Sequence, residues 1–220
     1  MRRSPFHLVL ISAFTAACGS SDSGDKTINV TWTFASGDCA SSGVDAVHVT
    51  WGLQGGATQS KDFACVDGGG RLGEWSDPGT YTIAALGLDA GGVARVETWG
   101  ISATFSGSGT GGFPIDMTLH PKAADVTVTW SFSDGSTCPP GVTLPYAVTL
   151  YQAPAEVGGP LTKTVTNDSA GCSSGQVTLT HVTPGDYVVL IDSRAISPAV
   201  KATAPVTVKP GENAQVAVKL

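Results

Sequence analysis

The chain has 220 residues, with 12 basic and 18 acidic side chains for a net charge of −6, and it carries 28 Gly and 13 Pro. That balance excludes a nucleic-acid partner, which needs a basic patch to neutralise phosphate. The Gly and Pro content, with abundant Thr and Val, predicts an all-β protein of short strands joined by turns, and no amphipathic helix of ordinary length is readable beyond the N-terminal stretch.

At the N-terminus, Arg2 and Arg3 precede an apolar run over residues 6–14 (FHLVLISAF), followed by Thr15, Ala16 and Ala17. Positive, apolar and small residues in that order make an export signal, and the run is too short for a bilayer span of about 20 residues. Ala16-Ala17-Cys18-Gly19 resembles the cleavage and acylation box of bacterial lipoproteins. The resemblance implies that residues 1–17 are a signal peptide removed on export and that Cys18 becomes a lipidated N-terminus held in a membrane. Gly19 after the cysteine resembles the pattern that sorts enterobacterial lipoproteins outward, which implies the outer membrane of the cell envelope. Residues 18–26 complete this region as a tether: the stretch after Cys18 is Gly, Ser and Asp with no apolar side chain, so it buries nothing and stays flexible.

The rest of the chain is one unit written twice. Residues 28–34 (INVTWTF) recur as residues 126–132 (VTVTWSF), each an alternating strand ending in Trp-x-Phe. A polar turn and a cysteine follow in both, Cys39 and Cys138, then a second apolar run over residues 44–53 and 142–151, an alignment that sets Trp51 opposite Tyr151. Asp77-Pro78-Gly79-Thr80-Tyr81 and Thr183-Pro184-Gly185-Asp186-Tyr187 then open buried strands: Pro sets the first dihedral of a tight turn and Gly accepts a positive one. Cys65 lies 16 residues before Tyr81 and Cys172 lies 15 before Tyr187. Each unit closes with a strand pair, residues 95–105 with 113–119 and residues 202–208 with 213–220, the last joined by a hairpin turn at Pro210-Gly211-Glu212-Asn213. The boundary is a short linker at residues 120–124, giving repeat 1 over residues 27–121 and repeat 2 over residues 122–220. A linker that short predicts stiff beads on a string or a modest contact between the repeats.

This spacing of strands and turns predicts two tandem antiparallel β-sandwich domains. Pro-Gly-x-Tyr feeding an apolar strand, and a final Val-Thr-Val-Lys-Pro-Gly-Glu-Asn, resemble the immunoglobulin-like or prealbumin-like sandwiches of the carboxypeptidase regulatory and transthyretin-like group. Five cysteines leave one over in an exported protein. With Cys18 used for lipid, the other four fall two to a repeat, and the repeat selects Cys39 with Cys65 and Cys138 with Cys172 among the three pairings. An oxidising compartment makes disulfides their expected fate, and no Cys-x-x-Cys spacing supports a thiolate metal site.

Text matches to catalytic motifs lack their context. Gly171-Cys172-Ser173-Ser174-Gly175 reads as a nucleophile elbow, but a strand follows Ser173 where a helix is required. The run from Gly107 to Gly112 reads as a dinucleotide loop, but Phe113 and Pro114 start a strand and not the helix that would hold a pyrophosphate. His48, His120 and His181 show no ligand spacing, so neither a metal nor a cofactor is expected.

One asymmetry remains. Trp32 and Trp130 are counterparts and predict core pivots, whereas Trp51, Trp75 and Trp99 occur only in repeat 1 and form a candidate ligand platform, since an exposed indole stacks on sugars or anchors proteins. The expectation is a non-enzymatic, lipid-anchored cell-envelope protein acting as a spacer or protein-binding module, exported through the inner membrane. The alternative is a carbohydrate-binding surface lipoprotein that uses the extra tryptophans. The expected partners are the membrane, through the N-terminal lipid, and an envelope protein or glycan.

Overall fold

The computed structural model describes residues 26–74, 77–105, 112–138, 145–153, 160–193 and 201–220. The expected signal peptide, Cys18 and nearly all of the expected tether fall outside them, as does Trp75. Among the described residues the chain forms strands β1 (Thr27–Phe34), β2 (Ala46–Leu53), β3 (Gln59–Ala64), β4 (Gly69–Glu74), β5 (Gly79–Leu88), β6 (Ala94–Glu97), β7 (Ile101–Phe105) and β8 (Phe113–Pro121) in repeat 1. Repeat 2 follows with β9 (Ala124–Ser131), β10 (Tyr146–Gln152), β11 (Thr162–Ala170), β12 (Gln176–Val182), β13 (Gly185–Asp192), β14 (Lys201–Val208) and β15 (Ala214–Lys219). Two single 3-10 turns, Cys65–Asp67 and Cys172–Ser174, are the helical elements of the described chain. No helix among the described residues is long and apolar enough to cross a membrane.

Alternation along each strand sorts side chains between core and solvent. In β9 the inward set is Ala124, Val126, Val128 and Trp130, all buried, with half-buried residues between them. Ile28, Val30 and Trp32 do the same in β1. A fully buried branched side chain contributes roughly 1.5–3 kcal/mol, and two separate cores collect them. One gathers side chains from Ile28 to Leu119. The other gathers side chains from Ala124 to Val218.

In repeat 1 the strands run in the order β3-β2-β5-β6-β8-β1-β4, with β7 also on β5. In repeat 2 they form two sheets, β11-β10-β13-β14 and β12-β9-β15. The architecture is all-β, as the sequence predicts, but four local expectations are corrected.

First, the closing strands are not simple hairpins, although β6 keeps two antiparallel pairs with β8, Val96 with Pro121 and Glu97 with His120. Strand β8 pairs in parallel with β1, and β15 pairs in parallel with β9 while β14 stays on β13. The Pro210-Gly211 turn therefore carries the chain from one layer to the other. The crossing lets Val206 and Val208 from one sheet and Val218 from the other bury against a single core, which a hairpin would hold in one layer.

Second, residues 95–105 are two strands, because Thr98, Trp99 and Gly100 interrupt the ladder between β6 and β7. Third, Trp51 pairs with Ile83 two residues from Tyr81, and Leu150 pairs with Val189 two residues from Tyr187. The counterpart of Trp51 is thus Leu150, not Tyr151, and a one-residue slip moves a side chain to the opposite face. Fourth, β8 extends to Pro121 and β9 begins at Ala124, so only Lys122 and Ala123 lie between them.

Candidate functional site

Each repeat is organised round the same corner. Cys39 and Cys65 form a disulfide with Cα atoms 5.9 Å apart, and Cys138 and Cys172 form one at 5.3 Å. In both, the second cysteine opens a 3-10 turn closed by a glycine at φ 66°, Gly68 or Gly175, a backbone conformation costly for any side chain with a Cβ. The indole of Trp32 donates to the Cys65 carbonyl at 3.1 Å, and that of Trp130 donates to the Cys172 carbonyl at 3.3 Å and the Thr137 carbonyl at 3.1 Å. Backbone bonds Trp32 N to Gly68 O and Trp130 N to Gly175 O close the same ring. These indoles are structural: each is buried and gives a second donor to a carbonyl that already accepts the N–H of the capping glycine. Ser173 sits inside the second of these turns, with β12 following directly, so a nucleophile elbow does not form there.

The three extra tryptophans do not form one platform. Trp51 is 5 % exposed and belongs to the core of repeat 1, so it has no face to offer a ligand. Its burial follows from the register: Trp51, Val49 and Val47 are the inward set of β2. Trp75 lies outside the described residues. Trp99 is 74 % exposed, and its ring lies parallel to that of His120, centroids 4.4 Å apart and planes at 2°.

The histidines are scattered. His48 Nδ1 meets Asp62 at 2.5 Å across β2 and β3, His120 is the partner of Trp99, and the backbone N–H of His181 donates to Asp125 at 3.2 Å where β12 bulges. Among the described residues no group of three His, Cys, Asp or Glu side chains could hold a metal ion.

Charge is concentrated where the repeats meet. Arg95 of β6 donates to Asp89 at 2.9 Å, to the Pro210 carbonyl at 3.2 Å and to Glu212. The Gly211 N–H donates to the Lys122 carbonyl at 3.0 Å, and Lys122 N to the Arg95 carbonyl at 2.9 Å. Lys122 Nζ also reaches Glu97 at 2.7 Å. A shallow cleft beside this cluster is lined by Ser41, Ser42, Asp89, Arg95, Lys209 and Glu212. The Val93 amide, then the Arg95 guanidinium and the Gly91 amide, hold the Asp89 carboxyl below its ordinary range, and Glu212 and Asp89 raise Arg95 further. Asp38 and Asp134 are likewise lowered by Ser41 and Ser136 in their own turns. These shifts come from turns and ion pairs and not from a desolvated catalytic group. Arg95 and Glu212 stand 117 residues apart, and nothing in the sequence pairs them.

No protein-family model matches the chain, and no curated protein does. Among solved structures it is similar to the Bacillus anthracis TIE protein, at 12 % identity and TM-score 0.36, over 89 % of this chain but 34 % of that one. It is also similar to a candidate adhesin from Bacteroides ovatus, at 11 % identity and TM-score 0.38, over 81 % and 77 % of the two chains. A third is a candidate polysaccharide-binding protein from Bacteroides thetaiotaomicron, at 10 % identity and TM-score 0.34, over 79 % and 78 %. Similarity at that level assigns neither a ligand nor a partner to this chain.

Proposed function

We propose that this chain is a non-enzymatic lipoprotein of the bacterial cell envelope, anchored through lipid on Cys18 and serving as a spacer that presents its distal repeat to envelope partners. In this reading residues 1–17 are the signal peptide, residues 18–26 the lipidated tether, and residues 27–121 and 122–220 two β-sandwich domains. The observation that carries it is the junction. A spacer needs its units locked, and Arg95 bridges Asp89 of repeat 1 to Glu212 of repeat 2 while its own side chain is only 20 % exposed. Gly211 completes the lock: it sits at φ 66°, and a Cβ there would be driven into the Ala94 carbonyl oxygen of repeat 1.

Two measurements test the reading. Labelling of expressing cells with palmitate should mark the wild-type chain and send it to the membrane fraction, whereas Cys18→Ala should be unlabelled and soluble. A wild-type chain that takes no label removes the anchor. Small-angle scattering should give one sharp maximum dimension for the wild type and a broadened distribution for Gly211→Ala, with the melting of repeat 1 nearly unchanged and repeat 2 losing about 1–2 kcal/mol for a side chain at positive φ. Identical scattering from the two proteins removes the locked junction.

A further inference from the structure

Trp99 is exposed by construction and not by accident. A single apolar side chain on a surface needs no explanation, but this one sits where the ladder has been built to turn it outward. On β5, Leu86 pairs with Glu97 and Ile83 pairs with Ile101. Two residues of β5, Ala84 and Ala85, therefore face three on the other side, Thr98, Trp99 and Gly100. Bulges of this kind re-aim a side chain. Thr98 pins this one from both directions: its N–H donates to the Ala85 carbonyl at 2.9 Å, and its hydroxyl accepts from the Ala85 N–H at 2.8 Å, with Thr98 itself buried.

The indole so presented is braced. His120 of β8 covers one face of the ring in a parallel stack, and the residue stays 74 % exposed. A ring already held in one orientation loses little freedom on binding, which is the usual cost of ordering an interface side chain. Beside the stack, Glu97 pairs with His120 across the two strands, and its carboxylate is bonded to Lys122 at 2.7 Å, the two side chains 30 % and 35 % exposed. The surface therefore offers one flat apolar face, with a half-exposed acceptor and donor beside the histidine that braces it.

We propose that this face of Trp99 is a stacking site for one pyranose ring of a glycan, the C–H face of the sugar lying on the indole and its hydroxyls meeting Glu97 and Lys122. A protein partner fits less well. Protein hot spots sit within a rim of contacts that excludes water, whereas the neighbours here are charged, and the next large exposed apolar side chain on β8, Phe113, is seven residues away, about 23 Å along a strand. The site keeps the carbohydrate alternative but moves it from three tryptophans to one, and it does not depend on lipid at Cys18.

The test titrates the full chain with cellohexaose, maltohexaose, xylohexaose and the hexamer of N-acetylglucosamine, reading the indole N–H resonances of all five tryptophans. Trp99→Phe assigns the Trp99 signal. At least one of the four sugars should shift that signal and leave the other four tryptophans in place. Trp99→Ala should weaken binding at least tenfold, about 1.4 kcal/mol, with unchanged melting, Trp99→Phe should keep most of it, and His120→Ala should weaken it about threefold through loss of the brace. A silent Trp99 signal with all four sugars at millimolar concentration overturns the proposal. So does sugar binding that survives Trp99→Ala.

Discussion

In repeat 1, β6 stays on β5 and also pairs with β8 through Val96 with Pro121 and Glu97 with His120, so the strands run as one connected sheet. In repeat 2, β14 stays on β13 from Lys201 opposite Asp192 to Val208 opposite Gly185, and among the described residues its two sheets share no ladder. The difference lies in β6, which borders β5 on one side and β8 on the other, and the bulge of Thr98, Trp99 and Gly100 ends it before β7 resumes on β5. The short β6–β8 ladder thus joins the two layers and pairs backbone groups that would otherwise line a sheet edge, and the bulge beside it puts an indole in solvent. The corner of Trp, disulfide and Gly-capped turn is the same in both repeats. The shared part holds the fold, and the divergent part is where repeat 1 gains a surface of its own.

Cutting the disulfides tests that comparison with the largest effect. Closing loops of 26 and 34 residues is worth roughly 3.5 kcal/mol each in the chain-entropy picture. Repeat 1 keeps the β6–β8 ladder when its bridge is lost, whereas among the described residues repeat 2 has no ladder between its two sheets. Cys138→Ala with Cys172→Ala should therefore destabilise repeat 2 more than Cys39→Ala with Cys65→Ala destabilises repeat 1. Residue-resolved hydrogen exchange under urea separates the two halves. Equal losses would mean that the extra ladder adds nothing to the closure of repeat 1.

Much of this was legible in the sequence, and the gaps have physical causes. Alternation over residues 28–34 and 126–132 predicts β1 and β9, and the paired Trp32 and Trp130 predict the two buried pivots. Matching aromatic to aromatic sets Trp51 against Tyr151, one residue out of register. Register is set by the Pro-Gly turn, and counting back from Tyr81 and Tyr187 leads to Leu150 instead. Hairpin and layer crossing share the same turn chemistry at Pro210-Gly211, so local residues do not say which sheet β15 joins. The bulge leaves only Gly100 as a trace, and Thr98 reads like any strand threonine. The Arg95–Glu212 lock depends on how two repeats meet, which no local pattern encodes.

The smallest effects come from three buried tyrosines and sharpen the comparison at the level of single hydroxyls. Tyr81 donates to the Asp77 carbonyl at 3.1 Å, and Tyr187 donates to the Thr183 carbonyl at 2.8 Å and contacts the Thr183 hydroxyl at 2.9 Å. Both bonds tie the start of a core strand to the turn before it. Tyr146 stands where repeat 1 has Val47, fully buried and edge-on to Trp130, and its hydroxyl has no hydrogen-bond partner among the described residues. Burial pushes that hydroxyl's pKa up, so it stays protonated and neutral at any working pH. A made hydrogen bond contributes about 0.5–1.5 kcal/mol net, while an unmade one in the core carries its desolvation as a cost. Tyr187→Phe and Tyr81→Phe should each lower stability by about 1 kcal/mol, Tyr187 more because two oxygens lose their partner. Tyr146→Phe should be neutral or stabilising, because it removes a polar atom that the core of repeat 2 leaves unpaired and keeps the ring that fills it. Urea midpoints of the three variants decide the matter: a loss for Tyr146→Phe as large as that for Tyr187→Phe would show that its hydroxyl is satisfied after all.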